Sequence, residues 1–138
     1  MAAPSVAAEQ SEDTMNDGDL IVEARALGDV PFVVARGDVD LCTTPKLREV
    51  LEQSCSTRSE AGPLGIDLRA VNFIDSAGLA LLVEMRKRFV QTCQLTLVLA
   101  AGSQPERVLK LGRFDTFLRV CYSPDEVTGG GASAVVSA

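Results

Sequence analysis

Histidine and tryptophan are absent from the 138 residues of this sequence, and only one tyrosine is present. Without histidine, the chain cannot form a Ser-His-Asp triad, a Cys-His pair or a zinc site with histidine ligands. It also contains no Gly-x-Ser-x-Gly nucleophile elbow. We therefore predict that the protein is not an enzyme and holds no metal or cofactor.

Positive charge is scarce, since 13 Lys and Arg residues oppose 19 Asp and Glu residues and leave a net charge of −6. Binding to nucleic-acid phosphates needs clustered Lys and Arg, so we predict no direct nucleic-acid partner. No apolar run approaches the length of about 18 residues expected for a membrane helix, and residues 1–19 lack the pattern of a signal peptide. We predict a cytoplasmic protein without membrane insertion.

The four cysteines, Cys42, Cys55, Cys93 and Cys121, are widely spaced and form no Cys-x-x-Cys pair. This spacing favours reduced thiols, mostly buried, that act as small hydrophobic side chains. A redox role for these cysteines is the alternative, because the reactivity of a thiol depends on its exposure.

The organisation of the chain indicates one ordered domain at 19–128 between two tails. Residues 1–18 are small, polar and acidic, which is typical of a disordered N-terminal tail. Residues 129–138 begin with three glycines and predict a flexible C-terminal tail. Between the tails, the signals alternate in the order β-β-α-β-α-β-α-β. This order predicts an α/β fold with a mostly parallel sheet of four to five strands, an antiparallel edge strand and three to four flanking helices.

The hydrophobic pattern gives approximate bounds for these elements. We predict strands at 20–26, 30–36, 65–68, 94–100 and 118–122. The first helix opens with Thr44 as N-cap and Pro45 at the first helical position. The second helix is predicted at about 77–92.

The third helix carries the clearest start signal, because Ser103 and Glu106 have the spacing of a capping box. Its predicted buried stripe consists of Val108, Leu109 and Leu111, and Gly112 is the predicted stop. After the last strand, the sequence Ser-Pro-Asp-Glu at 123–126 repeats the capping signature but leaves room for about one turn.

Asp75 and Ser76 follow an apolar segment at the predicted start of the second helix. In a structural interpretation, Ser76 is the N-cap, and its hydroxyl accepts a backbone N–H. In a functional interpretation, Ser76 is a phosphoacceptor, because a helix N-terminus accommodates a phosphate well. The two interpretations are compatible.

A second polar cluster occupies the turn at 37–45, with the sequence GDVDLCTTP. If the strand before it is parallel to the strand before Ser76, Asp40 and Ser76 lie at the same edge of the sheet. Two carboxylates alone make a weak Mg²⁺ site, so solvated turn and capping residues are the favoured interpretation. Asp40 could also restrain Ser76 or position its hydroxyl.

The second helix is apolar on more than one side. Leu79, Leu82, Val83 and Val90 form one stripe, and Leu81, Met85 and Phe89 form another. Either both stripes are buried, or an exposed apolar patch beside Ser76 binds a partner, with Met85 as an adaptable contact.

Three stretches of this chain carry a family resemblance. Residues 37–45 look like a G-E-L-D…T-A-P turn, and residues 66–78 (IDLRAVNFIDSAG) look like a D-L-S-x-V-x-F-I-D-S-S-G signature. The third stretch, 95–112 with Phe117, is similar to a late strand, helix and closing turn. On these motifs the chain resembles the STAS domain family, and specifically the bacterial anti-sigma factor antagonists.

The resemblance implies a regulatory protein without catalysis of its own. It implies that Ser76 is phosphorylated by an anti-sigma factor that is also a serine kinase, and that a PP2C-type phosphatase restores the serine. The unphosphorylated form would bind the anti-sigma factor and free the sigma factor. Asp75 matches the acidic residue before the phosphoacceptor, and Asp40 matches the acidic residue of the neighbouring turn. Ala77 stands where a second serine is often present.

Two other functions remain open at this stage. STAS domains also serve as constitutive interaction subunits of transport or stress-signalling complexes, and some bind nucleotides, although no phosphate-binding loop is present here. Under the leading hypothesis, we predict partner-binding or site-shaping roles for nine residues: Asp40, Thr43, Thr44, Asp75, Ala77, Gly78, Leu79, Leu82 and Met85.

Overall fold

The computed structural model describes residues 20–57 and 61–128, which form a sheet and three helices. The strands are β1 (Leu20–Leu27), β2 (Val30–Val39), β3 (Gly62–Ile74), β4 (Cys93–Val98) and β5 (Arg119–Cys121). The helices are α1 (Thr44–Ser56), α2 (Ser76–Arg88) and α3 (Gln104–Leu111). Two short 3-10 turns, Phe114–Thr116 and Pro124–Glu126, complete the described part. The predicted tails at 1–18 and 129–138 lie outside the described residues.

The sheet has the strand order β1-β2-β3-β4-β5. β1 and β2 are antiparallel and form a hairpin, in which Gly28 has the positive φ of 62° that a two-residue turn requires. All other neighbouring strands are parallel. The predicted α/β fold, with a mostly parallel sheet and an antiparallel edge strand, is confirmed.

The main core lies between one face of the sheet and the three helices, because alternate strand residues turn their apolar side chains to that face. Fully buried representatives are Leu47 in α1, Leu82 in α2, Ile66 in β3 and Leu109 in α3. A smaller cluster of Phe32, Val98, Cys121 and Val127 lies on the other face, beneath the second 3-10 turn. None of the three helices covers that face. Its centre is nevertheless buried, as Asp67 at 7% and Thr96 at 3% exposure show, whereas its margin along β1 is exposed.

Salt bridges join α1 to α2 across the surface. The guanidinium of Arg48 donates two hydrogen bonds, of 2.6 and 2.8 Å, to the carboxylate of Glu84. In the opposite direction, from α2 to α1, Arg88 donates one hydrogen bond to the carboxylate of Glu52. The hydrogen bond from Arg48 lowers the pKa of Glu84 below its usual value. These pairs are exposed, so they fix the relative position of the helices more than they stabilise the fold.

The prediction that Ser103 caps α3 is confirmed, but the returning bond of the predicted capping box comes from the residue before the cap instead of from the Ser103 amide. The Ser103 hydroxyl accepts a hydrogen bond from the Glu106 amide at 3.3 Å, while the Glu106 carboxylate accepts one from the Gly102 amide at 2.7 Å. The Tyr122 hydroxyl also donates to this carboxylate at 2.6 Å. The bonds from Tyr122, Gly102 and Lys110 lower the pKa of Glu106 to about 2.

Three local predictions are wrong. The N-cap of α1 is Thr43 rather than Thr44, so Pro45 is the second helical residue. β3 has 13 residues and is much longer than the short strand predicted around 65–68, because it continues through polar positions and pairs with β2 along its second half. Leu111 is 83% exposed, since the last turn of α3 extends past the edge of the core.

The second helix is also shorter than predicted, since α2 ends at Arg88 and its C-cap is Phe89. Its last turn carries Arg86, Lys87 and Arg88, whose positive charges suit the negative end of the helix dipole. No helix within the described ranges, of which the longest have 13 residues, is long and apolar enough to cross a membrane.

Candidate functional site

The carboxyl ends of β2 and β3 meet at one edge of the sheet. Val39 and Ile74 are paired at the end of the parallel ladder, and the Asp75 amide donates to the Val39 carbonyl at 3.1 Å. The turn that follows β2 and the start of α2 therefore lie side by side. As the sequence analysis anticipated, Asp40 and Ser76 project from the same edge of the sheet.

The Asp75 carboxylate holds these two segments together. Its Oδ1 accepts a hydrogen bond from the Gly78 amide at 3.0 Å, and its Oδ2 accepts one from the Leu41 amide at 3.2 Å. The first bond makes Asp75 the N-cap of α2, because its extended backbone lets the carboxylate reach the free amide three residues on. The second bond links the helix start to the turn after β2, 34 residues earlier in the chain.

Ser76 is the first residue of α2, and the prediction that it caps the helix is wrong. A capping Ser76 would accept the amide of Gly78 or Leu79. Both amides already donate to Asp75, the first to its carboxylate and the second to its carbonyl. The Ser76 side chain is exposed, and its hydroxyl makes no hydrogen bond to any described residue. A hydroxyl in this state is open to an incoming group from another molecule.

The turn after β2 is ordered by its own side chains. The Asp40 Oδ1 atom accepts hydrogen bonds from the amides of Cys42 and Thr43, at 2.9 and 3.0 Å. The buried Thr43 hydroxyl donates to the Asp38 carbonyl and accepts from the Asp40 amide, both at 2.9 Å. Thr44 donates its hydroxyl hydrogen to the Leu41 carbonyl at 3.2 Å. Asp40 thus fixes the turn and, among the described residues, makes no hydrogen bond to Ser76.

The carboxylates at this edge do not form a metal centre. Within residues 20–57 and 61–128, no group of three or more His, Cys, Asp or Glu side chains is placed to hold a metal ion. The Asp40 and Asp75 carboxylates are instead occupied by backbone amides. The edge is therefore anionic, with its two carboxylates in fixed positions.

Gly78 allows α2 to approach the sheet closely. A Cβ atom added at this buried position would lie 2.6 Å from Ile74 Cγ1 and 2.8 Å from Val39 Cγ1. Both contacts are far shorter than ordinary carbon–carbon contacts. Because Val39 and Ile74 are the last residues of β2 and β3, the missing side chain sets how near Ser76 lies to the turn that contains Asp40.

An open groove runs along α2 from Ser76. It has a volume of about 690 Å³, and Leu79, Ala80, Val83 and Phe114 provide its apolar surface. Glu84, Lys87 and Arg88 form the charged side of the groove. Leu79 and Val83 were predicted from the sequence as members of an apolar stripe, whereas Ala80, Glu84 and Phe114 were not predicted. The helical spacing from Ser76 to positions 80, 84 and 87 is a signal that could have found part of this surface.

Two of the proposed partner contacts in α2 lie inside the core. Met85 is 0% exposed and Leu82 is 1% exposed, because their side of the helix packs against the sheet. The hypothesis that Met85 makes an adaptable contact with a partner is therefore wrong. Leu79 and Ala77 are half-buried at the surface, and Val90, in the turn after the helix, is exposed.

The cysteines follow the predicted pattern of burial. Cys55, Cys93 and Cys121 are buried, and only Cys42, in the turn after β2, is exposed. Burial raises the pKa of the Cys121 thiol, which keeps this side chain in its unreactive protonated form.

This arrangement agrees with a family match that spans nearly all of the described residues. The sequence model of the STAS domain family matches residues 22–127 of this chain. The chain belongs to the STAS domain family. Two of the three stretches that carry the resemblance, 37–45 and 66–78, contain the segments that Asp75 joins.

Solved structures share this STAS fold. An anti-sigma factor antagonist from Mycobacterium paratuberculosis is 22% identical, with a TM-score of 0.71 over 85% of this chain and 94% of that chain. An anti-sigma-factor antagonist (STAS) domain protein from Planctomyces limnophilus is 17% identical, with a TM-score of 0.61 over 76% of this chain and 92% of that one.

A third relative has been solved in two forms. Unphosphorylated SpoIIAA is 12% identical, with a TM-score of 0.59 over 85% of this chain and 96% of that chain. The phosphorylated form of SpoIIAA from Bacillus is 13% identical, with a TM-score of 0.52 over 84% and 99% of the two chains. At these identities the likeness establishes the shared fold.

In this STAS domain, replacing Asp75 with alanine is expected to lower the free energy of unfolding by about 1–2 kcal/mol, because α2 loses its cap. The Leu41 amide loses its acceptor as well, so its hydrogen exchange should become faster. Urea unfolding measures the first effect, and hydrogen exchange followed by NMR measures the second. Asp75→Asn is the matched control, since it keeps one side-chain acceptor and should retain part of the stability. Equal stability of Asp75→Ala and the wild type would contradict the capping role.

Proposed function

We propose that this STAS domain is an anti-sigma factor antagonist that phosphorylation of Ser76 switches off. In its unphosphorylated form it binds an anti-sigma factor and releases the sigma factor. The anti-sigma factor is itself the serine kinase, and a PP2C-type phosphatase reverses the modification. The observation that carries this proposal is the exposed hydroxyl of Ser76, which stands at the start of α2 and is not engaged by any described residue.

The division of roles between Asp75 and Ser76 supports the proposal. Asp75 caps the helix, so the Ser76 hydroxyl contributes no hydrogen bond to the fold. Modification of Ser76 therefore leaves the helix start intact and changes the surface alone. The named relatives include anti-sigma factor antagonists, and SpoIIAA is a relative with a phosphorylated form.

The charge at this edge explains why a phosphate would act as an off switch. A phosphoserine adds about −1.5 to −2 charges beside the Asp75 carboxylate, close to the turn fixed by Asp40. The positive end of the α2 dipole partly compensates within the protein. A partner surface complementary to a neutral hydroxyl would meet unfavourable repulsion and desolvation.

The reaction at Ser76 depends on groups outside this chain. In the transfer, the bond between the γ-phosphorus and the bridging oxygen of ATP breaks, and a new bond forms between this phosphorus and Ser76 Oγ. The proton of the hydroxyl passes to a base. No described side chain bonds this hydroxyl, and the chain has no histidine. The kinase must supply the base, and we propose no catalytic activity for the STAS domain itself.

Incubation of the protein with its cognate anti-sigma factor and ATP tests the proposal. One phosphate should be added to the wild type and to Ser56→Ala, a control at an exposed serine of α1, whereas Ser76→Ala should remain unmodified. Intact-mass spectrometry measures the modification, and calorimetry should show that Ser76→Ala still binds the anti-sigma factor. Phosphorylation of Ser76→Ala would refute the site. Binding that is the same with and without the phosphate would support a constitutive interaction subunit instead.

A further inference from the structure

The outer side of β1 is an open sheet edge. β1 stands first in the strand order, and within the described ranges no strand pairs with its outer side. Its eight residues, Leu20–Leu27, form a longer edge than the three residues of β5 at the opposite end of the sheet. The backbone N–H and C=O groups on such an edge can pair with a further strand.

Four side chains of β1 lie on the face of the sheet opposite the helices. Leu20 and Val22 belong to the core on the helix side, so the residues between and after them face the other way. These are Ile21, which is 50% exposed, Glu23, Arg25, and Leu27, which is 42% exposed. One acidic and one basic residue thus lie between two exposed apolar residues.

We propose that β1 pairs with β1 of a second copy of this chain, antiparallel and around a two-fold axis through Ala24. This arrangement places Glu23 opposite Arg25 of the second copy, and Ile21 opposite Leu27 of the second copy. The symmetry repeats each pair, so two ion pairs lie between two apolar pairs. The product is a continuous ten-stranded sheet with the helices of both copies on one side.

The charges select this register over its neighbours. Shifting the two-fold axis by one residue along β1 gives the neighbouring antiparallel registers and keeps the same side chains on the same face of the sheet. These neighbouring registers centre on Glu23 or on Arg25. The first puts Glu23 opposite itself, and the second puts Arg25 opposite itself. Like charges directly opposite each other are unfavourable, whereas opposite charges at this separation attract. Only the register through Ala24 pairs every charge with its opposite.

The present contacts of these residues are compatible with pairing. Arg25 Nη2 lies 2.7 Å from Glu23 Oε1 on the same strand, and Arg36 Nη2 of β2 lies 3.7 Å from the same oxygen. All three side chains are exposed, so Glu23 can exchange the guanidinium of its own strand for that of the second copy. Lys46 of α1 bonds the Leu20 carbonyl, which lies outside the paired stretch of Ile21–Leu27.

Sedimentation of the full chain across a concentration series tests the proposal. The wild type should show a reversible monomer–dimer equilibrium. Arg25→Glu and Glu23→Arg should each raise the dissociation constant at least about tenfold, because each creates two like-charge pairs. Arg119→Glu makes the same change of charge on the opposite edge strand and should leave the equilibrium unchanged.

Mixing the two variants separates a lost interface from a damaged fold. Arg25→Glu has acidic residues at both positions and Glu23→Arg has basic residues at both, so a mixed dimer again pairs opposite charges. The mixture should therefore dimerise at concentrations at which each variant alone stays mostly monomeric. A wild type that stays monomeric would overturn the proposal. The proposal would also be overturned if neither Arg25→Glu nor Glu23→Arg raised the dissociation constant, or if Arg119→Glu raised it by as much. Failure of the mixed variants to form a dimer would overturn it as well.

Discussion

Replacing Ser76 with glutamate is expected to weaken binding of the anti-sigma factor by more than about a hundredfold, which corresponds to a loss of about 3 kcal/mol. The new carboxylate stands next to Asp75 at the exposed start of α2, where the unmodified surface presents a neutral hydroxyl. In the complex this added charge is desolvated and faces groups arranged for a neutral partner. Calorimetry with the purified anti-sigma factor measures the change in the dissociation constant.

The matched control for this variant is Ser76→Gln, which has nearly the same size as glutamate but no charge. If charge drives the switch, glutamine should weaken binding less than about tenfold, an effect of at most about 1.4 kcal/mol. Equal losses for the two variants would show that size, rather than charge, governs the interface. Unchanged affinity of Ser76→Glu would show that Ser76 is not at the interface at all.

Gly78→Val is expected to reduce the free energy of unfolding by about 3 kcal/mol or more. The first atom of any side chain at this position already lies within 2.8 Å of carbons in Val39 and Ile74. The branched side chain of valine adds two further carbons where the ends of β2 and β3 leave no space. Urea unfolding followed by circular dichroism measures the loss.

Ala80→Val introduces the same side chain into the same helix at an exposed position. Its expected cost is that of helix propensity, below about 1 kcal/mol. A similar loss of stability for Gly78→Val and Ala80→Val would show that the close approach of α2 to the sheet is not what position 78 requires. The comparison therefore isolates packing from the general cost of a β-branched residue in a helix.

The parts of the fold that local sequence signals determine could be predicted. Ser103 and Glu106 lie three residues apart in the chain and meet in the helix they cap, so no distant residue is needed to interpret them. The parallel sheet follows in the same way from alternating strands and helices, because a connection between parallel strands needs a crossover. These signals were sufficient for the mostly parallel sheet and for the edge at which the site lies, whereas the order of the strands within the sheet comes from the structure.

The details of the site depend on contacts that the sequence does not reveal. Asp75 and Ser76 are both good capping residues, and the choice between them follows from the backbone angles at the end of β3. The bond from the Leu41 amide to Asp75 spans 34 residues. Both apolar stripes of α2 also look alike in the sequence, although Met85 faces the sheet while Val83 lines the groove.

The antiparallel start of the sheet has a practical consequence for labelling. Leu20 pairs with Gly37, just before the turn that contains Asp40, so the chain enters β1 at the edge that carries Ser76. At the other end of the described part, Val127 packs on Phe32 near the start of β2. A fluorophore or affinity tag inserted directly before Leu20 would therefore lie close to Ser76 and would obstruct the surface that we propose for partner binding. The same tag placed after Thr128 leaves from the other face of the sheet, which makes it the better position for binding assays.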